Sequence, residues 1–299
     1  MQYYLRGVDS MSILINRDTK VLVQAITGKS GVLQTKAMKA YGTQVVAGVT
    51  PGKAGLTVEG VPVYDFIADA LKEHEVDVVI SFVPPPFAKD SCFEVINSGI
   101  KFLIITTEGI PDHDVVEILT YAKAKGTRIL GPGTAGIIAP GKCKVGAHPG
   151  IFYTEGKVGV VSKSGALSYE VGKTLTENGI GQSTVIAISG GPIWGLTQTD
   201  AIELFQQDEE TDIIVLLGEI GGSMEEEAAE FIAAHVNKPV ISMIVGRAAP
   251  EGKSLGHAGA IIQGSKGTAK SKIETLLAAG VHIAKNPEEI VELIKKIRG

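Results

Sequence analysis

The sequence predicts two doubly wound α/β domains in series, each built on a parallel sheet. Three observations carry this. Short β-branched runs alternate with amphipathic stretches of helical period from residue 20 to 130 and again from residue 158 onward, and such alternation means parallel strands joined by crossover helices. Between Gly131 and Gly156 the alternation lapses into Gly- and Pro-rich sequence without helical period, which marks a boundary. The 299 residues, 44% hydrophobic and 20% charged, suffice for two cores.

In the first half, strands are expected over 21–27, 43–50, 76–83, 102–107 and 128–130, with helices over 30–41, 65–73, 89–98 and 114–125. In the second half, strands over 158–161, 184–189, 213–217, 240–245 and 281–284 alternate with helices over 165–178, 198–207 and 224–236, a helix from Thr268 and a closing helix from Pro287. Ser223 with Glu226 reads as a capping box, and Asn286-Pro287 with Glu289 sets a cap, an N1 proline and an acidic third position in order. The domains are expected at 1–131 and 132–299, with residues 1–10 as an extension of no assigned function and Met11 as a second possible start. No internal repeat or low-complexity tract interrupts this plan.

Twenty-eight Lys+Arg against 33 Asp+Glu leave a formal charge of −5, so no basic footprint suggests nucleic acid or an anionic membrane. The apolar runs fall far short of the roughly 20 residues that span a bilayer, and the N-terminus lacks a signal-peptide apolar region. Cys92 and Cys143 form no C-x-x-C pair, which argues against a disulfide framework or thiolate metal site and fits a reducing cytoplasm. No metal is expected in this chain.

In open parallel sheets ligands bind beyond the carboxyl ends of the strands, so the residues after each apolar run are the informative ones. Thr27-Gly28-Lys29-Ser30-Gly31 is a glycine turn leading into a helix, whose open amides and positive dipole end suit a phosphate. It is no P-loop: the Walker spacing needs glycine where Val23 stands, and for Gly252-Lys253-Ser254 where Arg247 stands. Gly131 to Gly136 satisfies G-x-G-x-x-G, but Pro140 follows and no helix opens there. Where an NAD site wants a carboxylate after the second strand, Lys53 stands instead. Val161-Ser162-Lys163-Ser164-Gly165-Ala166 brings a serine cap and tiny residues to a helix start, either a plain N-cap or a phosphate seat. His257, flanked by Gly256 and Ala258 in the longest connection, has the setting of a reactive imidazole. Glu219, ending a wholly apolar strand, is either a solvated strand-end acid or a buried one that needs a partner, in which case it can hold an imidazole by its Nδ1–H. Glu225 to Glu227 complement the dipole of the helix after Ser223, which reads as structural.

The segments TGKSG, VTPGKAG, TTEGIP, GKVGVVSKSGALSYE, GEIGGSMEEEAAE and GHAGAII, in this order, resemble the α subunit of succinyl-CoA synthetase, the ADP- or GDP-forming succinate–CoA ligase, from Met11 to the C-terminus. The resemblance implies a Rossmann-like CoA-binding domain followed by a flavodoxin-like domain carrying a phosphohistidine. Carried over by position, Thr27, Gly28, Lys29, Ser30, Lys53, Thr106, Thr107 and Glu108 would contact CoA. His257 would be phosphorylated with Glu219 orienting it, Ser164 and Gly165 would hold phosphate, and Tyr169 would lie near substrate. The implied reaction belongs to the tricarboxylic acid cycle and needs a β subunit of ATP-grasp fold, as αβ or α2β2, which binds the Mg-nucleotide. The sequence departs from the family at Gly131-Pro132-Gly133-Thr134-Ala135-Gly136, where GPNCPG is usual, at Gly190-Gly191-Pro192 for GGDP, and at Ser254-Leu255 within GKRMGHAGA. Another NDP-forming acyl-CoA ligase, such as an acetate–CoA ligase, and a non-catalytic CoA-binding protein stay open as alternatives. An NAD oxidoreductase is disfavoured by Lys53.

Overall fold

The computed structural model describes residues 13–247, 257, 259, 260 and 267–299. The expected N-terminal extension, Met11, Gly252-Lys253-Ser254, Gly256 and Ala258 lie outside the described residues.

The first sheet is laid down by β1 (Lys20–Gln24), α1 (Lys29–Tyr41), β2 (Gln44–Val49), β3 (Thr57–Val58), β4 (Val61–Tyr64), α2 (Ile67–Glu73), β5 (Val78–Ser81), α3 (Pro85–Asn97), β6 (Phe102–Ile105), α4 (Asp112–Lys125) and β7 (Arg128–Leu130). Its order is β3-β4-β2-β1-β5-β6-β7, parallel except for β3. The parallel strands, taken in chain order, therefore run 3-2-1-4-5-6, the doubly wound order whose direction reverses between β1 and β5. All four residues of β5 and of β6 are buried, as expected for central strands covered on both faces.

The second sheet is built from β8 (Gly136–Ala139), β9 (Cys143–Gly146), β10 (Glu155–Ser162), α5 (Gly165–Glu177), β11 (Gln182–Ala187), α6 (Gln198–Gln207), β12 (Ile213–Glu219), α7 (Met224–His235), β13 (Val240–Val245), α8 (Ala269–Ala278), β14 (His282–Ala284) and α9 (Pro287–Arg298). Its order is β14-β13-β12-β10-β11-β8-β9. The five parallel strands run 2-1-3-4-5 in chain order, the flavodoxin-like arrangement, with its switch point between β10 and β12. One apolar cluster is shared by both sheets, joining Val23, Ile80 and Ile104 to Ile137, Ile186 and Leu216. Backbone bonds from Gly195 to Gly131 O and from Leu196 to Ile129 O, at 2.9 and 2.8 Å, tie the units together.

Three features differ from the sequence reading. The stretch after Gly131 holds the antiparallel hairpin β8–β9, paired to β11. Its four-residue strands are too short to display alternation, and glycine bounds them because a Cβ on Gly136 would meet Val145 O at 2.1 Å. A second hairpin, β3–β4, turns at Glu59-Gly60, both at positive φ (51° and 76°), the geometry of a tight two-residue turn. The Ser223–Glu226 capping box does not form: Ser223 makes no cap bond and donates to Glu227 at 2.6 Å, while Glu226 turns to Lys272 at 3.5 Å. A buried lysine outcompetes a local cap for that carboxylate. Among the described residues of this half, Thr197 with Asp200 does form a capping box, and Asn286 caps α9 by accepting from Glu289 N at 2.8 Å.

Candidate active site

At the carboxyl edge of the first sheet, Gly28 caps α1 in an extended conformation with no side-chain bond and no acid in the first turn, so the amide end of the helix is left uncompensated. Gly31 lets the helix start this close to β1, since a Cβ there would lie 2.2 Å from Ala25 O. Thr27 is half-buried, and Gly28, Lys29 and Ser30 are exposed. The Thr27 amide reaches Thr50 Oγ1 at 3.4 Å, setting this turn beside the loop after β2. There Asp65 accepts from the amides of Lys53 and Ala54, both at 2.9 Å, and the Lys53 side chain stands exposed. Open amides beside a flexible cation make an anion seat.

Thr106 and Thr107 follow β6, but their hydroxyls donate to Ser81 O and Val83 O at 2.8 and 2.6 Å. Those two side chains shape the strand exit and bring no spare donor to a ligand. Glu108 is exposed beside Gly133 of the inter-sheet connection.

The second set gathers at the switch point of the second sheet. His257 Nδ1 lies 2.6 Å from Glu219 Oε2. Glu219 is the last residue of β12, whose seven residues are all buried, so its carboxylate is held where water cannot compete. Gly190 makes room for the ring, since a Cβ there would stand 2.5 Å from His257 Cγ, and Gly259 lets the two backbone segments approach, since a Cβ there would stand 2.9 Å from Gly191 O. Gly259 N also donates to Gly190 O at 3.1 Å, fastening the residues after His257 to the segment beyond β11.

The Glu219 hydrogen bond raises the His257 pKa above that of an ordinary imidazole. Burial and the Lys163 charge oppose that rise, and the charges of Glu219 and Glu108 add to it. Glu108 of the first unit is thus within electrostatic reach of the imidazole of the second. Ser164 caps α5 by accepting from Leu167 N at 3.4 Å, and no acid occupies its first turn. Gly165 sits near the Tyr169 hydroxyl, which would be 3.6 Å from a Cβ at that position. The structure therefore brings together His257 and Glu219, and Gly165 with Tyr169, while Thr27 to Ser30 and Lys53 belong to the other sheet edge.

His148, unlike the half-buried His257, is fully buried and has different surroundings. His148 Nδ1 faces the Tyr153 hydroxyl at 2.9 Å and its Nε2 faces Gly136 O at 3.1 Å, so both nitrogens are engaged internally. Burial lowers its pKa to about 4, and the ring packs edge-on against Tyr169 with centroids 5.4 Å apart.

Lys163, Glu225 and Lys272 lie at or behind the site, and the sequence assigned none of them a role there. Lys163 approaches Glu219 Oε1 at 3.5 Å, and the buried Glu225 accepts from Glu219 N at 3.1 Å while also engaging Lys272. The only sequence signal was position: Lys163 directly precedes the Ser164 cap, and Glu225 is one of three acids that complement the dipole of a helix end read as structural. Among the described residues no group of three or more His, Cys, Asp or Glu is placed to hold a metal ion, and no helix is long and apolar enough to cross a membrane.

Two family models match the chain, a CoA binding domain over residues 16–109 and a CoA-ligase over residues 161–282. A succinate–CoA ligase [ADP-forming] subunit alpha of Aquifex aeolicus is 50% identical over 289 residues, covering 96% of this chain and 95% of its own length. The protein of the same name from Staphylococcus epidermidis is 49% identical over 280 residues, covering 94% and 93%. Among solved structures, ATP citrate lyase from Methanothrix soehngenii in complex with citrate and coenzyme A shares the fold with a TM-score of 0.87 at 24% identity over 96% of this chain. The chain spans 50% of that longer polypeptide. A dinucleotide forming acetyl-coenzyme A synthetase from Ca. Korarchaeum cryptofilum aligns with a TM-score of 0.72 at 22% identity, over 91% of this chain and 59% of its own.

Proposed function

The chain belongs to the family of succinate–CoA ligase α subunits, and from that premise we propose that His257 carries the phosphoryl group of the reaction and Glu219 orients it. The protein is a subunit of an acid–thiol ligase, with a CoA-binding domain followed by a CoA-ligase domain. The observation that carries the assignment is the 2.6 Å contact between His257 Nδ1 and Glu219 Oε2. A carboxylate that accepts the Nδ1 proton fixes the tautomer, so Nε2 holds the reacting lone pair.

In the relay, phosphate attacks the thioester carbonyl of succinyl-CoA, the C–S bond breaks, and CoA leaves as its thiol with succinyl phosphate formed. Nε2 of His257 then attacks phosphorus and the P–O bond to the acyl group breaks, releasing succinate. A terminal oxygen of a nucleoside diphosphate finally takes the phosphoryl group and frees the imidazole. The uncompensated start of α5, with Ser164 and Gly165, provides amides for the phosphate, and Tyr169 borders that seat. At the other sheet edge, Thr27, Gly28, Lys29, Ser30 and Lys53 hold the CoA phosphates. Thr106 and Thr107 shape the wall leading to Glu108, which lies between that edge and the imidazole. The nucleotide and its Mg²⁺ sit on a β subunit of ATP-grasp fold, in an αβ or α2β2 assembly in the cytoplasm. The division at 131/132 is supported by the strand assignment, since β7 ends at Leu130 in one sheet and β8 starts at Gly136 in the other.

The test is phosphoenzyme labelling. The assembled ligase given γ-labelled nucleoside triphosphate is expected to take up an acid-labile, base-stable label that maps to His257 and is absent from His257→Asn. It should fall in Glu219→Gln with CoA binding kept. A label on another residue, or full labelling of His257→Asn, refutes the assignment.

A further inference from the structure

Behind the His257–Glu219 pair runs a line of buried charges that the relay as described does not use. Lys163, between β10 and α5, has a side chain 2% exposed, and its ammonium stands 3.5 Å from Glu219 Oε1 and 3.9 Å from Glu225 Oε1. It also lies 5.8 Å from the centre of the Trp194 ring. Glu225, on α7, is wholly buried and pairs with the equally buried Lys272 of α8, which donates to Gly221 O at 2.8 Å and lies 3.5 Å from Glu226. From the imidazole inward the signs alternate: His257, Glu219, Lys163, Glu225, Lys272.

The two oxygens of Glu219 are not equivalent. Oε2 takes the imidazole proton, whereas Oε1 is buried with no hydrogen-bond partner among the described residues. The cation beside it is Lys163. A carboxylate buried without a compensating cation is strongly unfavourable and escapes by taking up a proton or turning away. Either escape would spoil the tautomer, since a protonated carboxyl donates to Nδ1 and leaves the hydrogen on Nε2.

We propose that Lys163 is a positioning residue of the phosphoryl relay, its buried ammonium holding the Glu219 carboxylate in place so that it accepts the Nδ1 proton of His257. Glu225 and Lys272 hold Lys163 in turn. Among the described residues, the charged groups that act on His257 are Glu219 from β12, Lys163 from the turn between β10 and α5, and Glu108 from the segment after β6; both acids favour the imidazolium and Lys163 disfavours it. Lys163 thus has two effects of the same benefit, keeping Glu219 an acceptor and keeping the imidazole in its neutral, nucleophilic form at lower pH.

This role rests on the relay reading, and the experiment separates the two. Labelling of the assembled ligase with γ-labelled nucleoside triphosphate is followed from pH 6 to 9 in wild type, Lys163→Met and Lys163→Arg, with CoA affinity measured by calorimetry on each. In Lys163→Met the labelling rate is expected to fall roughly tenfold to a hundredfold, the loss typical when a group orienting an imidazole is removed. Its acid limb should shift to higher pH while CoA affinity is unchanged. Lys163→Arg, which keeps the cation, should restore most of the rate and the wild-type limb. Wild-type labelling on His257 together with an unaltered rate and limb in Lys163→Met overturns the proposal and leaves the relay standing. Wild-type label away from His257 overturns the relay and this role with it. If Lys163→Met does not fold, Lys163→Gln/Glu225→Gln removes one charge of each sign, and a wild-type rate in that variant overturns the proposal.

Discussion

Gly190→Ala isolates the seat of the imidazole from everything else in the protein. Gly190 lies outside the left-handed region, so the backbone accepts alanine without strain. The new Cβ, however, would stand 2.5 Å from His257 Cγ, 2.6 Å from Cδ2 and 2.7 Å from Nδ1. Carbon atoms in contact settle at roughly 3.5 Å or more, so the ring must retreat by about 1 Å. Starting from the 2.6 Å contact with Glu219, such a retreat takes Nδ1 to the edge of hydrogen-bonding range. A charge-assisted bond of this kind contributes about 1.5–3 kcal/mol, and a misplacement of about 1 Å at a reacting group costs on the order of a hundredfold in rate. The expected result is a phosphohistidine labelling rate down by about a hundredfold in the assembled ligase, with CoA affinity and unfolding midpoint near wild type, because neither the α1 turn nor the apolar cores are touched. Gly191→Ala is the control: among the described residues its Cβ would meet only the Ser189 hydroxyl at 3.3 Å and Ile193 O at 3.9 Å. If Gly190→Ala labels within about threefold of wild type, the imidazole does not react from this seat and the reasoning fails.

Lys53→Glu should weaken CoA binding by roughly 1 kcal/mol or more by placing a like charge beside the phosphates, and a calorimetric titration with unchanged affinity would remove Lys53 from the site. At α5, Ser164→Ala should cost only about 1 kcal/mol of stability as a lost cap, whereas Gly165→Asp sets an anion at the phosphate seat and should abolish most labelling; equal phosphoenzyme yields would reduce that helix end to a structural cap. His148 should show in the pH dependence of stability. Its pKa is depressed from 6.5 to about 4 by burial, so the unfolded chain binds the extra proton and stability declines as pH falls through 6.5 toward 4, by roughly 3 kcal/mol in all. Urea titrations at pH 7 and pH 4.5 should therefore differ less for His148→Gln than for wild type, and identical differences would mean that the buried ring is not what makes the fold acid-sensitive.

The elements readable in the chain are those whose causes are local. The run at 213–217 declares β12, Asn286-Pro287 with Glu289 declares the start of α9, and the glycine turn at 27–31 declares an uncapped helix start, because periodicity and capping depend on neighbours a few residues away. The short hairpins β3–β4 and β8–β9 escaped for the converse reason. Their strands are two to four residues long, too brief for alternation to register, and they exist because a sheet edge receives them. His257 and Glu219 were each conspicuous, an imidazole among glycines and an acid ending an apolar strand. Their contact at 2.6 Å required the β12 exit to face the loop after β13, which the strand order arranges.

The two alternating β/α series, the glycine turns at their strand ends and the chemical types available there follow from the order of residues alone. Which charges meet is set by the packing of the folded chain. Glu226 abandons a local cap for Lys272, Glu225 leaves solvent to bind the same lysine, and Lys163 finds Glu219 across the β10–β12 switch point. A buried charge takes its partner from whatever the packing sets within a few ångströms, since desolvation makes any unpaired arrangement too costly. That neighbour is chosen by the order of the strands in space, and the order of residues along the chain carries no local trace of it.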